Sequence, residues 1–155
     1  MILYLVCDVS GSGLENGKRM IMRGLARTVE QYCRLGFCMG EIKLVAWSKK
    51  AHIVEWNPDN EFPQDMLDCK NTVNAETLIE LLGNKPDGKI LLVTDGFWGR
   101  DSAKALKRWK EKLLPDTLRI IKIGADANPQ LEGTDVFSAE DLFAALADWL
   151  ESGIA

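Results

Sequence analysis

Clusters of histidine and cysteine are what this sequence most clearly lacks. It has one histidine, His52, and its four cysteines include no CxxC pair. Structural zinc sites draw their ligands from such residues at short spacings, so no zinc site is expected. A histidine-based catalytic triad is not expected either. Cys7 lies inside an apolar run and is interpreted as a small core residue rather than a reactive thiol.

Positive charge and long apolar runs are also scarce. The 19 lysines and arginines are outnumbered by 23 acidic residues, for a formal net charge of −4, so neither nucleic acid nor an anionic membrane is expected as a partner. No apolar stretch approaches the roughly 20 residues that cross a bilayer. No basic segment of the kind that opens a signal peptide precedes the first apolar run. We therefore expect a cytoplasmic protein.

Apolar and amphipathic segments alternate along the rest of the chain. Continuous apolar runs are typical of parallel strands that are covered on both faces. Strands are predicted over residues 2–7, 41–47, 51–56, 89–94, 118–124 and 136–137. Only Ser48, Lys49 and Lys50 separate the second strand from the third. Because this is too short for a crossover helix, these two strands are predicted to form an antiparallel hairpin.

Helices are predicted between these strands, over residues 18–34, 76–82, 101–114 and 139–151. Asn74 and Ser138 are suited to cap the second and the last of them. The apolar stripe of the first helix is assigned to positions spaced by three and four, namely Ile21, Leu25, Thr28, Tyr32 and Leu35. The basic residues of the same helix are interpreted as a solvated face: Lys18, Arg19, Arg23, Arg27 and Arg34.

The order of these elements predicts an open α/β sheet, mostly parallel with one antiparallel edge strand. The sequence contains no internal repeat, and this one sheet uses every apolar strand. We therefore expect residues 1–155 to form a single domain, which is large enough to bury a substantial core.

The end of the first strand carries the most suggestive polar residues, in the segment Asp8-Val9-Ser10-Gly11-Ser12. Open α/β sheets bind ligands at the carboxyl ends of their strands. Here Asp8, Ser10 and Ser12 bring three oxygen-bearing side chains into one short turn. Oxygen ligands on a tight turn suit a hard divalent cation such as Mg²⁺. The sequence therefore predicts a metal site at this turn.

Two alternative interpretations of the turn involve phosphate. Gly17-Lys18 suggests a nucleotide-binding P-loop, GxxxxGK[ST], but a serine stands where the motif has its first glycine, and Arg19 replaces the residue that binds Mg²⁺. A Mg²⁺-dependent phosphatase or phosphotransferase would use Asp8 as its nucleophile. Such enzymes generally have a second acid two residues on, and here that residue is Ser10, a poor proton donor near neutral pH.

The turn containing Asp8, Ser10 and Ser12 resembles the DxSxS signature of von Willebrand factor A domains, where it nucleates a metal-ion-dependent adhesion site. In that family two further ligands come from distant loops. One is an Asp that ends the next buried strand, usually within TDG, and the other is a Thr ahead of a helix. The resemblance therefore implies that Asp95, within Thr94-Asp95-Gly96, is a metal ligand.

The resemblance leaves two candidates for the threonine ligand. The family's loop usually reads GGT, followed six residues later by a helical Leu. Lys70-Asn71-Thr72 followed by Leu78 keeps this spacing, but Lys70 and Asn71 replace both glycines. Thr72 is the favoured ligand. Thr77 is the alternative, although a threonine hydroxyl within a helix tends to bond a backbone carbonyl.

The resemblance covers nearly the whole chain and implies a Rossmann-like three-layer α/β/α sandwich. It implies a protein-binding module rather than an enzyme, with Mg²⁺, or Mn²⁺ or Ca²⁺, bridging to an acidic side chain of a partner protein. Bacterial members of this kind work beside AAA+ ATPases or in stress and defence systems, so such an ATPase or an operon-encoded protein is the implied partner. Phe97 and Trp98 follow Asp95, and we expect Trp98 to be the more exposed of the two.

Overall fold

The computed structural model describes residues 1–10, 17–37, 40–63, 66 and 72–150. These residues form a six-stranded sheet with the strand order β3-β2-β1-β4-β5-β6. The strands are β1 (Ile2–Asp8), β2 (Glu41–Trp47), β3 (Ala51–Val54), β4 (Gly88–Thr94), β5 (Leu118–Lys122) and β6 (Val136–Ser138). All neighbouring pairs are parallel except β2 and β3, which form an antiparallel hairpin at one edge. The predicted sheet is confirmed.

The described helices are α1 (Lys18–Tyr32), α2 (Ala75–Leu82), α3 (Arg100–Lys112) and α4 (Leu142–Leu146). A π-helical turn, Cys33–Phe37, extends α1, and a 3-10 turn, Ala139–Asp141, precedes α4. Asn74 caps α2 as predicted, since its side chain accepts the main-chain N–H of Glu76 at 3.0 Å.

The prediction of one continuous final helix over residues 139–151 was wrong. The 3-10 turn comes first, and α4 then extends over only five residues. Ser138 precedes this segment but makes no side-chain capping hydrogen bond, and its hydroxyl instead donates to the carboxylate of Asp141 at 3.0 Å.

The helices cover the sheet on both faces, and the sheet separates two apolar clusters. On one side, Leu5 and Cys7 of β1 pack with residues of α1 and α4. On the other side, Val6 packs with residues of α2 and α3. Alternate residues of β1 therefore face opposite layers, as expected for a strand covered on both faces. Cys7 is a fully buried core residue, as predicted, and Cys33 is disulfide-bonded.

The apolar stripe predicted for α1 was right at Leu25 and Tyr32, which are buried or pack against the core, but wrong at Ile21 and Leu35. The residues that α1 buries are Lys18, Met22, Leu25, Ala26 and Val29. Ile21 and Leu35, which were assigned to the core, are 39% and 69% exposed. The true stripe has the same spacing of three and four as the predicted one, so periodicity alone did not separate them. The observed stripe begins with Lys18, whose side chain is therefore buried rather than solvated.

The two ends of the parallel strands have different chemistry. Toward their amino ends, the hydroxyl of Tyr4 donates to the carboxylate of Asp87, in the turn before β4. At their carboxyl ends, the neighbouring strands β1 and β4 finish in Asp8 and Thr94, with Asp95 next along the chain. The buried polar residues of the described chain are concentrated at this carboxyl edge.

Candidate metal centre

Asp8 is the last residue of β1, and its side chain is buried. Its Oδ1 accepts the main-chain N–H of Ser10 at 3.0 Å, and its Oδ2 accepts the hydroxyl of Thr94 at 2.6 Å. Burial raises the pKa of the Asp8 carboxyl, and hydrogen bonds from Thr94 and Ser10 offset only part of that rise. The charged form of Asp8 is therefore costly to bury, and a cation beside it would reduce that cost.

Thr94 joins the end of β1 to the loop after β4. It is fully buried, and it lies beside Asp8 because β1 and β4 pair in parallel. Its hydroxyl donates to Asp8, and it accepts the main-chain N–H of Gly96 at 3.0 Å and the indole N–H of Trp98 at 3.1 Å. One hydroxyl thus satisfies three groups and holds the loop against Asp8.

Asp95 follows β4 directly and is buried at the same edge as Asp8. Its Oδ1 accepts the main-chain N–H of Phe97 at 3.1 Å, in the same two-residue turn that Asp8 forms with Ser10. Besides burial, the charge of Asp95 contributes to the raised pKa of Asp8. Because β1 and β4 are neighbouring parallel strands, the two carboxylates lie at adjacent strand ends, as carboxylates that share a cation would.

A lysine ammonium lies against Asp95. The Nζ of Lys18, the first residue of α1, is 3.2 Å from Oδ2 of Asp95 and 3.0 Å from Oδ1 of Asp126. Burial by itself lowers the pKa of Lys18, but hydrogen bonds and charge from Asp126 and Asp95 outweigh this and hold the pKa above its usual range. Lys18 is therefore a charged, buried residue, and the prediction that it lies on a solvated face was wrong.

The structure brings together part of the predicted ligand set. Asp8, Ser10 and Asp95 are all buried at one edge of the sheet. Ser12 lies outside the described residues, so its role stays a prediction. Thr72 is exposed, and no hydrogen bond among the described residues joins it to Asp8 or Asp95.

The alternative threonine, Thr77, behaves as a helical threonine ordinarily does. Its hydroxyl donates to the carbonyl of Asn74 at 2.8 Å, one turn earlier. The start of α2 is held in place from two sides: the main-chain N–H of Asn74 donates to the carbonyl of Ser48 at 2.8 Å, and that of Ala75 to the hydroxyl of Ser102 at 3.2 Å. The first bond connects the start of α2 with the β2–β3 turn, and the second connects it with α3.

The exposure of the two aromatic residues that follow Asp95 is the reverse of the prediction. Phe97 is 49% exposed, whereas Trp98 is half-buried, donates to Thr94 and packs on Trp47 with ring centroids 6.2 Å apart. The expectation that Trp98 is the more exposed was wrong, because its indole N–H has a partner inside the site. Phe97 is the aromatic residue available to another molecule.

Sequence reasoning missed three residues of this site. Thr94 was noted only as part of the TDG segment, although a threonine at the end of an apolar strand was a usable signal. Lys18 could have been found from the stripe formed with Met22, Leu25 and Val29, which has correct helical spacing. Asp126 gave no local signal, because it meets Lys18 across 108 positions of the chain.

The donor types fit a hard divalent cation. Carboxylate and hydroxyl oxygens are the ligands that Mg²⁺ and Mn²⁺ favour, and Asp8, Ser10 and Asp95 provide them from two neighbouring strand ends. Among residues 1–10, 17–37, 40–63, 66 and 72–150, no group of three His, Cys, Asp or Glu side chains could hold a metal ion. Among the described residues, Ser10 offers a hydroxyl oxygen beside the two carboxylates, a donor type that the DxSxS arrangement also uses.

Comparison with known proteins supports the fold. No protein-family model and no curated protein matches the chain. A von Willebrand factor type A structure from Catenulispora acidiphila is similar over 96% of this chain and 42% of its own, with a TM-score of 0.62 and 17% identity. A manganese-loaded TRAP protein of Plasmodium vivax is similar over 97% of this chain and 73% of its own, with a TM-score of 0.59 and 14% identity.

A third similar structure is proximal thread matrix protein 1 from the mussel byssus, with a zinc-occupied metal-ion-dependent adhesion site. It covers 98% of this chain and 45% of its own, with a TM-score of 0.55 and 15% identity. This chain thus spans less than half the length of the Catenulispora and mussel proteins. At these identities the similarity concerns the fold, and the described chain has the Rossmann-like α/β fold of von Willebrand factor A domains.

Proposed function

We propose that this chain is a metal-dependent protein-interaction module, formed as a single domain by residues 1–155. Its metal ligands are Asp8, Ser10, Ser12, Thr72 and Asp95, and its cation is Mg²⁺, with Mn²⁺ or Ca²⁺ as substitutes. A bound divalent cation supplies an open coordination position that an acidic side chain of a partner protein can fill.

The observation that carries this proposal is the pair of buried carboxylates at adjacent strand ends. Asp8 and Asp95 each accept a main-chain N–H two residues on, which orients both carboxylates at the carboxyl edge of the sheet. Thr94 holds Asp8 in place, and Ser10 lies beside it. Two buried acids at adjacent strand ends are expected where a cation is bound.

These residues argue against the phosphate-based alternatives. The lysine of a P-loop reaches toward phosphates, whereas Lys18 is buried and paired with Asp95 and Asp126. An aspartyl phosphotransferase generally uses a second acid two residues after its nucleophile, and the residue at that position from Asp8 is Ser10, whose hydroxyl is a poor proton donor near neutral pH. We therefore propose a binding function without catalysis.

The proposed partner is a protein, either an AAA+ ATPase or another operon-encoded protein, and the proposed location is the cytoplasm. The acidic net charge favours a protein partner over nucleic acid. Within the described residues, no helix combines the length and apolar character that a membrane span requires. The disulfide at Cys33 is the observation against a cytoplasmic location, because disulfides persist mainly in oxidising compartments.

A cation-dependent pull-down tests the proposed function. We expect the immobilised protein to capture a partner from native lysate in Mg²⁺ and to release it in EDTA, and we expect Asp8→Asn to capture none in either condition. The reason is that the partner's acidic side chain completes the coordination of the bound cation. If Mg²⁺, EDTA and the Asp8 variant all give the same set of captured proteins, a cation bridge is ruled out.

Phe97 provides a second prediction about the same surface, and this one leaves the proposed metal ligands unchanged. It is half-exposed two residues after Asp95, and exposed aromatic residues beside a binding site often contribute strongly to affinity. Phe97→Ser is expected to weaken partner binding about tenfold while leaving Mn²⁺ binding unchanged. The matched control is Phe143→Ser, since Phe143 is 59% exposed but contacts Tyr32 at the far end of α1. Equal affinities of the two variants for the partner would contradict the prediction.

A further inference from the structure

Lys18 is an unusual residue for a buried site. Lysine side chains normally extend their ammonium into water, and they are almost never fully buried unless they are paired. Here the side chain is 1% exposed, and its ammonium lies between Asp95, which is also buried, and Asp126, which is 49% exposed. Lys18 thus places a fixed positive charge against one of the two carboxylates that we propose as metal ligands.

The fold leaves a specific space for this side chain. Gly124, just after β5, has a φ of +90°, a backbone conformation that favours glycine. A Cβ atom at this position would lie 2.6 Å from Cε of Lys18 and 2.9 Å from Oδ1 of Asp126. The backbone therefore approaches the lysine side chain as closely as a glycine permits. The position of the ammonium is determined by contacts from α1, the loop after β4 and the loop after β5.

We propose that Lys18 is an internal counter-cation of the metal site, which neutralises Asp95 in the metal-free protein and gives up that contact when a divalent cation binds. The inference rests on the proposed metal-binding function. Asp126 allows Lys18 to lose its contact with Asp95, because Asp126 already contacts the same ammonium from the solvent side. When Asp95 turns to a divalent cation, Lys18 keeps one carboxylate partner and does not become an unpaired buried charge.

This arrangement has two opposite consequences. In the absence of metal, Lys18 stabilises the folded protein by offsetting the charge of Asp95. In the presence of metal, its positive charge repels the incoming cation through a medium of low polarity. Lys18 therefore reduces the affinity for divalent cations and lets the fold persist without them. A protein lacking Lys18 should bind metal more tightly and depend on it more for stability.

The test compares Lys18→Met with Arg19→Met in the full chain. Arg19 is the adjacent, exposed residue of α1, so the control removes the same formal charge without touching the site. Mn²⁺ affinity is measured by calorimetric titration, and stability by urea unfolding in EDTA. We expect Lys18→Met to bind Mn²⁺ about tenfold or more tightly than Arg19→Met and to unfold at lower urea in EDTA. Lys18→Gln, which keeps a hydrogen-bond donor without charge, serves if Lys18→Met does not fold.

The possible outcomes separate this inference from the proposed function. Equal Mn²⁺ affinities for the Lys18 and Arg19 variants would overturn the counter-cation role while leaving metal binding intact. Binding of Mn²⁺ by Lys18→Met but not by the wild type would support the counter-cation role and contradict the proposed function of the natural protein. Absence of Mn²⁺ binding in every variant would overturn both.

Discussion

Replacing Thr94 by valine is expected to lower the free energy of unfolding by about 3 kcal/mol or more, although the two side chains have nearly the same shape. The Thr94 hydroxyl donates to Asp8 and accepts from Gly96 and Trp98, and the residue is fully buried. Valine leaves all three groups without their partner. Each buried polar group that loses its partner costs about 1–3 kcal/mol. Equilibrium unfolding in urea, in EDTA, measures the loss.

Thr94→Ser is the matched control for this prediction. Serine keeps the hydroxyl and removes only one buried methyl group, which costs about 1 kcal/mol. The difference between the valine and serine variants therefore isolates the hydrogen bonds from the packing. If the valine variant is as stable as the serine variant, Thr94 does not hold the loop after β4 in the way that its contacts indicate.

Replacing Asp95 by asparagine is expected to cost about 3 kcal/mol of stability in the metal-free protein. The Oδ1 atom of Asp95 accepts from Phe97, so the asparagine amide nitrogen would take the position of Oδ2. There it would face the Lys18 ammonium, now 3.2 Å from the native oxygen. Two donors would then face each other in a buried site, and Lys18 would keep only its contact with Asp126. Urea unfolding in EDTA gives the size of the effect.

Asp126→Asn provides the comparison, because Asp126 pairs with the same ammonium from a half-exposed position. Exposed ion pairs contribute about 0–1 kcal/mol, so this variant should lose much less stability than Asp95→Asn. The contrast tests whether burial, rather than the number of ion pairs, determines the energetics of the site. A loss for Asp126→Asn as large as that for Asp95→Asn would refute this account of the Lys18 contacts.

The strands and their order could be predicted because a strand that is buried on both faces has a continuous apolar sequence. β1 is apolar from Ile2 to Cys7 and β4 from Ile90 to Val93, and the three residues between β2 and β3 allow only a hairpin. The same argument places Asp8 and Asp95 at one edge, since parallel neighbouring strands end at the same edge. The final helix was harder to predict, because Trp149 and Leu150 continue its apolar spacing and are buried although α4 ends at Leu146.

The electrostatic part of the site could not be predicted in this way. Two stripes with the same helical spacing run along α1, and only the packed structure shows which of them faces the sheet. Lys18 joins residues 77 and 108 positions away, and no local pattern reports pairing at such distances. Thr94 resembles any other strand residue until its hydroxyl is seen to have three partners. The roles of Ser12 and Thr72 stay predictions.

The central claim is that Asp8 and Asp95 hold a divalent cation at the carboxyl edge of the sheet. Calorimetric titration of Mn²⁺ into the wild type, Asp8→Asn and Tyr4→Phe tests it most directly. Tyr4→Phe is the control for general destabilisation, because it removes the partly buried hydrogen bond to Asp87 near the opposite edge. We predict one site per chain in the wild type and in Tyr4→Phe, and about 100-fold weaker binding in Asp8→Asn. Equal binding by all three proteins, or none by the wild type, would contradict the claim.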